Sequence, residues 1–182
     1  MCSDDFRREE YEDFVDEFVQ VHEMQNALLP SKDGAAVKRV RALIRQWKPD
    51  VVYCHSSKGG GIGRLAALGL GVKVMYNPHG WAFSMKGSKV KSWIYLMIER
   101  TLAHATDQFV MISNYEKMLA VQRHVGRADR MKVIFNGVDT ENIRKSAALS
   151  MISRRDIGIP EDAYVIGMVG RISPQKAPDV FV

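Results

Sequence analysis

A chain of 182 residues, 46% apolar and 26% charged, has the composition of a globular protein of one ordinary domain, or one and a fraction. No apolar run approaches the roughly 18 residues a membrane-spanning helix needs, and the acidic start Met1-Cys2-Ser3-Asp4-Asp5 is not that of a signal peptide. Two cysteines, Cys2 and Cys54, give neither a disulfide framework nor metal-ligand spacing, which fits a reducing compartment.

The net charge of +5 is unevenly spread. Residues 1–23 carry nine Asp/Glu against two Arg, whereas Val51 to Ile98 contain no carboxylate. That span holds Lys58, Arg64, Lys73, Lys86, Lys89 and Lys91, with His55 and His79. It favours an anionic partner: a phosphate-bearing ligand, an anionic membrane face or nucleic acid. A merely solvated basic face is the competing reading.

In chain order, residues 4–13 read as a polar, acidic helix or a frayed tail. Phe14 to Val21 alternates imperfectly and reads as a strand in preference to more helix. Gln25 to Asp33, with Pro30 and Ser31, reads as a loop. Val37, Val40, Leu43, Ile44 and Trp47 recur at helical spacing, and Arg39, Arg41 and Arg45 make the opposite face basic; Lys48-Pro49 ends that helix. Asp50 to Cys54 reads as a buried strand. His55 to Gly61 follows as a glycine-rich turn, then a helix through Ile62, Leu65 and Leu68 that Gly69 and Gly71 close. Val72 to Tyr76 is the next strand, and Asn77-Pro78-His79-Gly80 its loop. Val90 to Ala105 is an apolar helix, read as core because Trp93 to Ile98 is apolar all round. The alternative is a membrane surface, since Lys86, Lys89 and Lys91 lie beside Trp93 and Tyr95.

Phe109 to Ile112 is a strand. Ser113 and Glu116 form a capping box that opens a helix to about Val125. Val133 to Phe135 is a strand ending in the Asn136-Gly137 turn. Residues 140–160 are polar and mixed, and Tyr164 to Val169 begins a new buried strand. This alternation predicts an α/β fold with a parallel, doubly wound sheet. The chain is expected to lack a first strand with its glycine-rich loop, and to be cut off after Val182.

Three loops attract chemistry. His79 sits beyond the carboxyl end of a strand, where open α/β sheets bind ligands; a packed loop with a hydrogen-bonded histidine competes. The turn His55 to Gly61 enters a helix and suits a phosphate or a sugar; glycines that serve tight strand–helix packing are the alternative. Gly61-Ile62-Gly63-Arg64-Leu65-Ala66 fits the dinucleotide pattern, but the acidic residue that holds a ribose is missing before Glu99, so a nicotinamide enzyme is disfavoured. Arg171 and Lys176 flank a Ser-Pro turn and would clamp a diphosphate. No Asp-x-Asp pair, Cys/His cluster or G-x-S-x-G elbow is present, and the central loops hold no paired carboxylates, which disfavours a metal site, a two-carboxylate hydrolase and a serine hydrolase. What remains is chemistry on a substrate that brings its own leaving group, stabilised by positive charge.

Five segments then combine: Lys48-Pro-Asp-Val-Val-Tyr-Cys-His-Ser-Ser-Lys-Gly-Gly60, Tyr76-Asn-Pro-His-Gly-Trp-Ala-Phe83, Ile112-Ser-Asn-Tyr-Glu116, Val133-Ile-Phe-Asn-Gly-Val-Asp139 and Gly167-Met-Val-Gly-Arg-Ile-Ser-Pro-Gln-Lys176. In order and spacing the chain resembles the retaining family 4 glycosyltransferases of bacterial exopolysaccharide and capsule synthesis.

The resemblance implies a GT-B architecture of two Rossmann-like domains: residues 1–139 acceptor-side, 140–160 a linker, 161–182 the start of the nucleotide-sugar-binding domain. It implies transfer of a sugar from a nucleotide-diphosphate sugar to a saccharide or lipid-linked saccharide acceptor, with retention and with no metal or other cofactor. It assigns His79 to the transferred sugar and Gly170, Arg171 and Lys176 to the donor diphosphate. His55, Ser56, Ser57, Lys58, Gly59, Gly60, Asn77 and Gly80 fall to the acceptor or sugar side. It implies a cytoplasmic protein, peripheral on the anionic inner face of the membrane, without nucleic acid as a partner. The Glu-x7-Glu motif that grips the donor would lie beyond Val182, so little or no transfer is expected of this chain alone. A non-catalytic Rossmann-like module that binds an anion or a membrane surface is the rival reading.

Overall fold

The computed structural model describes residues 1–3, 6–25, 29–85, 87–149, 152–170, 172 and 176–181. The chain divides into two compact units, Met1–Phe135 and Asn136–Val182.

The first unit is built on a parallel sheet of β1 (Val51–His55), β2 (Lys73–Asn77), β3 (Gln108–Met111) and β4 (Met131–Val133), in the order β1-β2-β3-β4. Strand order does not reverse among the described strands. Helices precede β1 and fill each crossover: α1 (Pro30–Trp47), α2 (Ser57–Ala67), α3 (Lys89–Leu102) and α4 (Asn114–Gln122). The core joins Val52 and Cys54 of β1, Val74 and Tyr76 of β2, and Phe109 and Met111 of β3. Against them pack Ala36, Val40 and Ile44 of α1, at intervals of four, and Ile62 and Ala66 of α2.

Several expectations change. The N-terminal segment forms two 3-10 turns, Arg8–Glu10 and Glu12–Phe14, instead of a helix or a strand. Among its described residues the β-pairing is a single isolated bridge, Cys2 to Gln20, and Val21 alone is fully buried. An acidic, polar segment has too few apolar groups to cover a longer ladder. Pro30 opens α1 at its first turn rather than lying in a loop, because a residue there needs no N–H. Lys48, with φ 49°, caps that helix and donates its N–H to the Ile44 carbonyl. The glycine-rich stretch is not a loop: Ser57 to Gly61 form the first turns of α2. Strand β1 is buried on one face only, with Val51 and Tyr53 each 45% exposed on the other.

Helix α3 is not a core helix. Glu99 and Leu102 are buried, while Val90 is 67% and Trp93 62% exposed, with Ile94 and Ile98 on the same side. An apolar run announces its amphipathic stripe but not which neighbours will cover it. The capping box is half as expected. The Ser113 hydroxyl accepts from the Glu116 N–H at 3.1 Å, but the Glu116 carboxylate takes the N–H of Ile112, at 3.0 Å.

The second unit holds α5 (Thr140–Leu149), inside the stretch expected as a linker, a 3-10 turn Arg155–Ile157 closed by Gly158 (φ 71°), and the short α6 (Pro178–Phe181). The strand expected over 164–169 has no ladder partner among the described residues, and Val169 is fully exposed. A strand exists only where a neighbour takes its backbone hydrogen bonds.

Candidate functional site at the carboxyl ends of β1 and β2

The parallel register sets His55, the last residue of β1, opposite Asn77, the last of β2. The Ser56 N–H donates to the Asn77 carbonyl at 2.9 Å, extending the pairing by one residue. The Asn77 side chain, itself buried, accepts the His79 N–H at 3.1 Å in an Asx-type turn. Pro78 and Trp81 are buried, and the Trp81 indole N–H donates to the Glu116 carbonyl at 3.0 Å. Held on both sides, the loop leaves only His79 and Gly80 exposed between its anchors.

The two imidazoles meet there. Nδ1 of His55 lies 2.9 Å from Nε2 of His79, with ring centroids 5.2 Å apart and planes 24° from parallel. Burial, and then the neighbouring His79, push the His55 imidazole below its ordinary titration range. Ser56 (φ 61°) and His79 (φ 50°) both hold backbone angles that side-chain-bearing residues avoid, and Gly80 follows at φ 101°. Such angles cost on the order of 1–3 kcal/mol each and persist only where surrounding structure imposes them.

Thus His55, Ser56, Asn77, His79 and Gly80 lie together at the ends of β1 and β2. The others assigned to that side are turned to different tasks. Ser57 is the first residue of α2. Lys58 donates to Asp33 of α1 at 2.7 Å. At Gly60, a Cβ would press into the Tyr76 ring, 2.8 Å from Cδ2 and 2.9 Å from Cζ. A Cβ at Gly63 would meet the Cys54 sulfur. The packing alternative therefore accounts for Gly60 and Gly63, while Gly59 and Gly61 face more open space.

Beneath this cluster lies a network that the sequence reading does not contain. Arg64 is fully buried, pairs with Glu99 of α3 at 2.8 Å, donates Nε–H to the Gly60 carbonyl at 2.8 Å, and stacks 3.9 Å over the Tyr76 ring. The Tyr76 hydroxyl donates to the other Glu99 oxygen at 3.0 Å. One signal was present: Glu99 is the first carboxylate after the carboxylate-free span, at the end of an apolar run.

In the second unit, Lys176 lays its side-chain carbons 3.8 Å from where a Gly170 Cβ would stand, so these two proposed diphosphate contacts are neighbours. Arg171 lies outside the described residues. Among the described residues no group of three or more His, Cys, Asp or Glu is placed to hold a metal ion. A depression of about 250 Å³ at the opposite end of the sheet runs between Leu68, Gly71, Thr106, Asp107 and Arg130. It contains none of the clustered loop residues.

A four-stranded parallel sheet with a helix in each crossover places the chain in the class of Rossmann-like α/β domains. Residues 2–142 match the family model described as Glycosyltransferase Family 4, and the chain belongs to that family. It is 31% identical over 151 residues to the UDP-Gal:alpha-D-GlcNAc-diphosphoundecaprenol alpha-1,3-galactosyltransferase of Escherichia coli, across 82% of this chain and 39% of that protein. It is 34% identical over 137 residues to an "Uncharacterized 41.2 kDa protein in cps region" of Klebsiella pneumoniae, across 72% of this chain and 37% of the other. The chain thus spans about two-fifths of the length of these relatives. Among solved structures, the UDP-N-acetylglucosamine 2-epimerase from Rickettsia bellii matches with a TM-score of 0.56 at 11% identity, over 84% of this chain and 41% of that one, which is a likeness of fold.

Proposed function

We propose that this chain is the acceptor-side part of a glycosyltransferase that moves a sugar from a nucleotide-diphosphate sugar to a saccharide or lipid-linked saccharide, with retention and without a metal, in polysaccharide biosynthesis. The observation that carries the reading is the imidazole pair at the carboxyl ends of β1 and β2, in a chain of this family. The Escherichia coli relative is named for a UDP-Gal donor and a diphosphoundecaprenol-linked acceptor; that class of donor and acceptor is extended here to this chain. His79 stands beside the transferred sugar. The departing diphosphate gathers negative charge, and Arg171, Lys176 and the Gly170 turn are assigned to stabilise it. Residues 1–139 form the acceptor-side domain, 140–160 the linker, and 161–182 open the donor-side domain.

The exposed face of α3 supports a membrane location. Val90, Ile94 and Ile98 recur at intervals of four with Trp93 beside them, and Lys89 and Lys91 are exposed at the same end of the helix. Cations beside an apolar, Trp-bearing face suit anionic headgroups. We assign this face to the inner surface of the cytoplasmic membrane, where an undecaprenyl-linked acceptor would be presented.

The test is transfer of labelled galactose from UDP-galactose to GlcNAc-diphosphoundecaprenol. It is run on the chain alone and on the chain joined after Val182 to the remaining length of the Escherichia coli relative. The chain alone is expected to transfer little. The joined form should turn over, preserve the donor's anomeric configuration, and lose roughly 100- to 1,000-fold in kcat on His79→Ala while still binding UDP-galactose. If His79→Ala changes neither turnover nor donor binding, the chain is better read as a non-catalytic anion- or membrane-binding module.

A further inference from the structure

The contact between His55 and His79 uses one nitrogen of each ring and leaves the other nitrogen of each without a hydrogen bond among the described residues. We propose that His55 is a positioning residue for His79: its Nδ1 accepts the Nε2–H of His79, fixing that ring's rotation and tautomer and leaving His79 Nδ1 as the nitrogen offered to a ligand. Its meaning for catalysis rests on the glycosyltransferase reading; its test does not.

At 2.9 Å only one proton fits between the rings, so one ring donates and the other accepts. The backbones leave little room for a different pairing. His55 is held by the β1–β2 register, Ser56 by the Asn77 carbonyl, and His79 by the Asn77 side chain. The direction of the bond follows from what surrounds His55. The Tyr53 ring packs against it at 4.2 Å between centroids. Of the nearby charges, Lys58 is engaged by Asp33, and Arg64 and Glu99 are engaged with each other. Burial and the His79 ring both disfavour charge on His55. Were His55 the donor, a proton added at His79 Nε2 would set two N–H groups face to face. With His79 as donor, the bond survives uptake or loss of a proton at His79 Nδ1. Only that arrangement persists through both charge states with His55 neutral.

The consequence is a division of labour between two histidines that look equivalent in sequence. His79 exchanges protons and hydrogen bonds with a ligand through Nδ1 alone. His55 need not touch the sugar, and its removal frees His79 to turn and to switch tautomer.

The experiment is ring-nitrogen NMR on the 182-residue chain with labelled histidine, without substrate. In the neutral state both rings should carry their proton on Nε2. His55→Ala should leave His79 as a mixture of tautomers. His55→Asn, whose Oδ1 stands near the position of the lost Nδ1, should keep His79 protonated on Nε2. Independently, His79→Gln should raise the titration midpoint of His55, since one of the two causes that lower it is removed. A proton on Nδ1 of His55 in the parent chain overturns the proposal, as does an identical His79 tautomer in the parent, Ala and Asn forms. Those results would leave glycosyl transfer untouched, whereas failed transfer with the expected tautomers would count against the catalytic reading alone.

Discussion

Replacing Glu99 by Gln tests the network that underlies the site. The Glu99 carboxylate is 4% exposed and accepts from two donors, Arg64 Nη2 at 2.8 Å and the Tyr76 hydroxyl at 3.0 Å. Arg64 is 0% exposed, and its Nη1 already makes no hydrogen bond among the described residues. An amide has one acceptor oxygen for two donors, and its NH2 must face one of them. The larger effect is electrostatic, because a guanidinium is left inside the protein without a counter-ion. Breaking a buried pair by removing one partner costs about 3–5 kcal/mol. Against a typical total stability of about 5–15 kcal/mol this is a fifth or more. For a domain of this size it corresponds to a fall in Tm of roughly 6–20 °C.

Urea unfolding, read as a shift in midpoint at constant m, measures the loss directly. The decisive comparison is the double variant Arg64→Met with Glu99→Gln. It removes the orphaned cation while leaving the Tyr76 hydroxyl an acceptor, and it should recover at least about 2 kcal/mol of the loss. A cost under about 1 kcal/mol for Glu99→Gln, or a double variant no more stable than the single, would refute the claim that this pair holds α2 and α3 to the sheet.

Three further outcomes follow from the same packing. Gly60→Ala forces a methyl into the buried Tyr76 ring and should destabilise by about 1–3 kcal/mol, whereas Gly61→Ala, with nothing within 4 Å, should stabilise by about 0.5–1 kcal/mol; equal effects in urea titrations would contradict the packing. Burial, and then the Glu99 charge, raise the Tyr76 phenol well above its ordinary value of 10.0. Above that pH the unfolded chain releases a proton the folded chain keeps, so stability falls as pH rises, by about 1.4 kcal/mol per pH unit from this group. Tyr76→Phe should flatten the alkaline limb by that slope, and an unchanged slope would exclude the effect. Trp93→Ser on the exposed face of α3 should cut co-sedimentation with phosphatidylglycerol vesicles, and binding should weaken with added salt; equal binding to neutral vesicles would remove the anionic-surface assignment.

What can be read from the chain one residue after another is the alternation of short apolar runs with helical periods. That places β1, β2 and β3 within about a residue. It also marks His55 and His79 as residues that follow strands. What decides the rest is contact between distant segments. Glycines disfavour helix, so Gly59 to Gly61 look like a loop; α2 runs through them because the Tyr76 ring and the Cys54 sulfur leave no room for side chains at Gly60 and Gly63. Apolar spacing in α3 cannot tell which side its neighbours will cover. Arg64 and Glu99 lie 35 residues apart on different helices, and no local pattern joins them. The 24-residue separation of His55 and His79 is bridged by the one-to-one pairing of parallel strands.

The two surprises, the buried ion pair and the shared proton, are parts of one support. Tyr76 of β2 donates to Glu99 of α3, Glu99 holds Arg64 of α2, and Arg64 donates to the Gly60 carbonyl in the first turn of α2 while stacking over the Tyr76 ring. This closed chain ties the first turn of α2 to the end of β2, and each segment leads directly to one histidine: His55 and Ser56 lie just before Ser57, and Asn77 and His79 just after Tyr76. The left-handed angles at Ser56 and His79 are tolerable only because both neighbouring segments are fixed. It follows that Glu99→Gln should disturb the imidazole pair as well as the stability, although Glu99 touches neither ring. In a chain still folded at 10 °C, the ring-nitrogen spectrum of His79 should lose its single tautomer in Glu99→Gln, and the double variant, which also lacks the Arg64–Glu99 link, should not regain it even where stability recovers. An unchanged His79 spectrum in a measurably destabilised Glu99→Gln protein would show that the loop is held by Asn77, Pro78 and Trp81 alone.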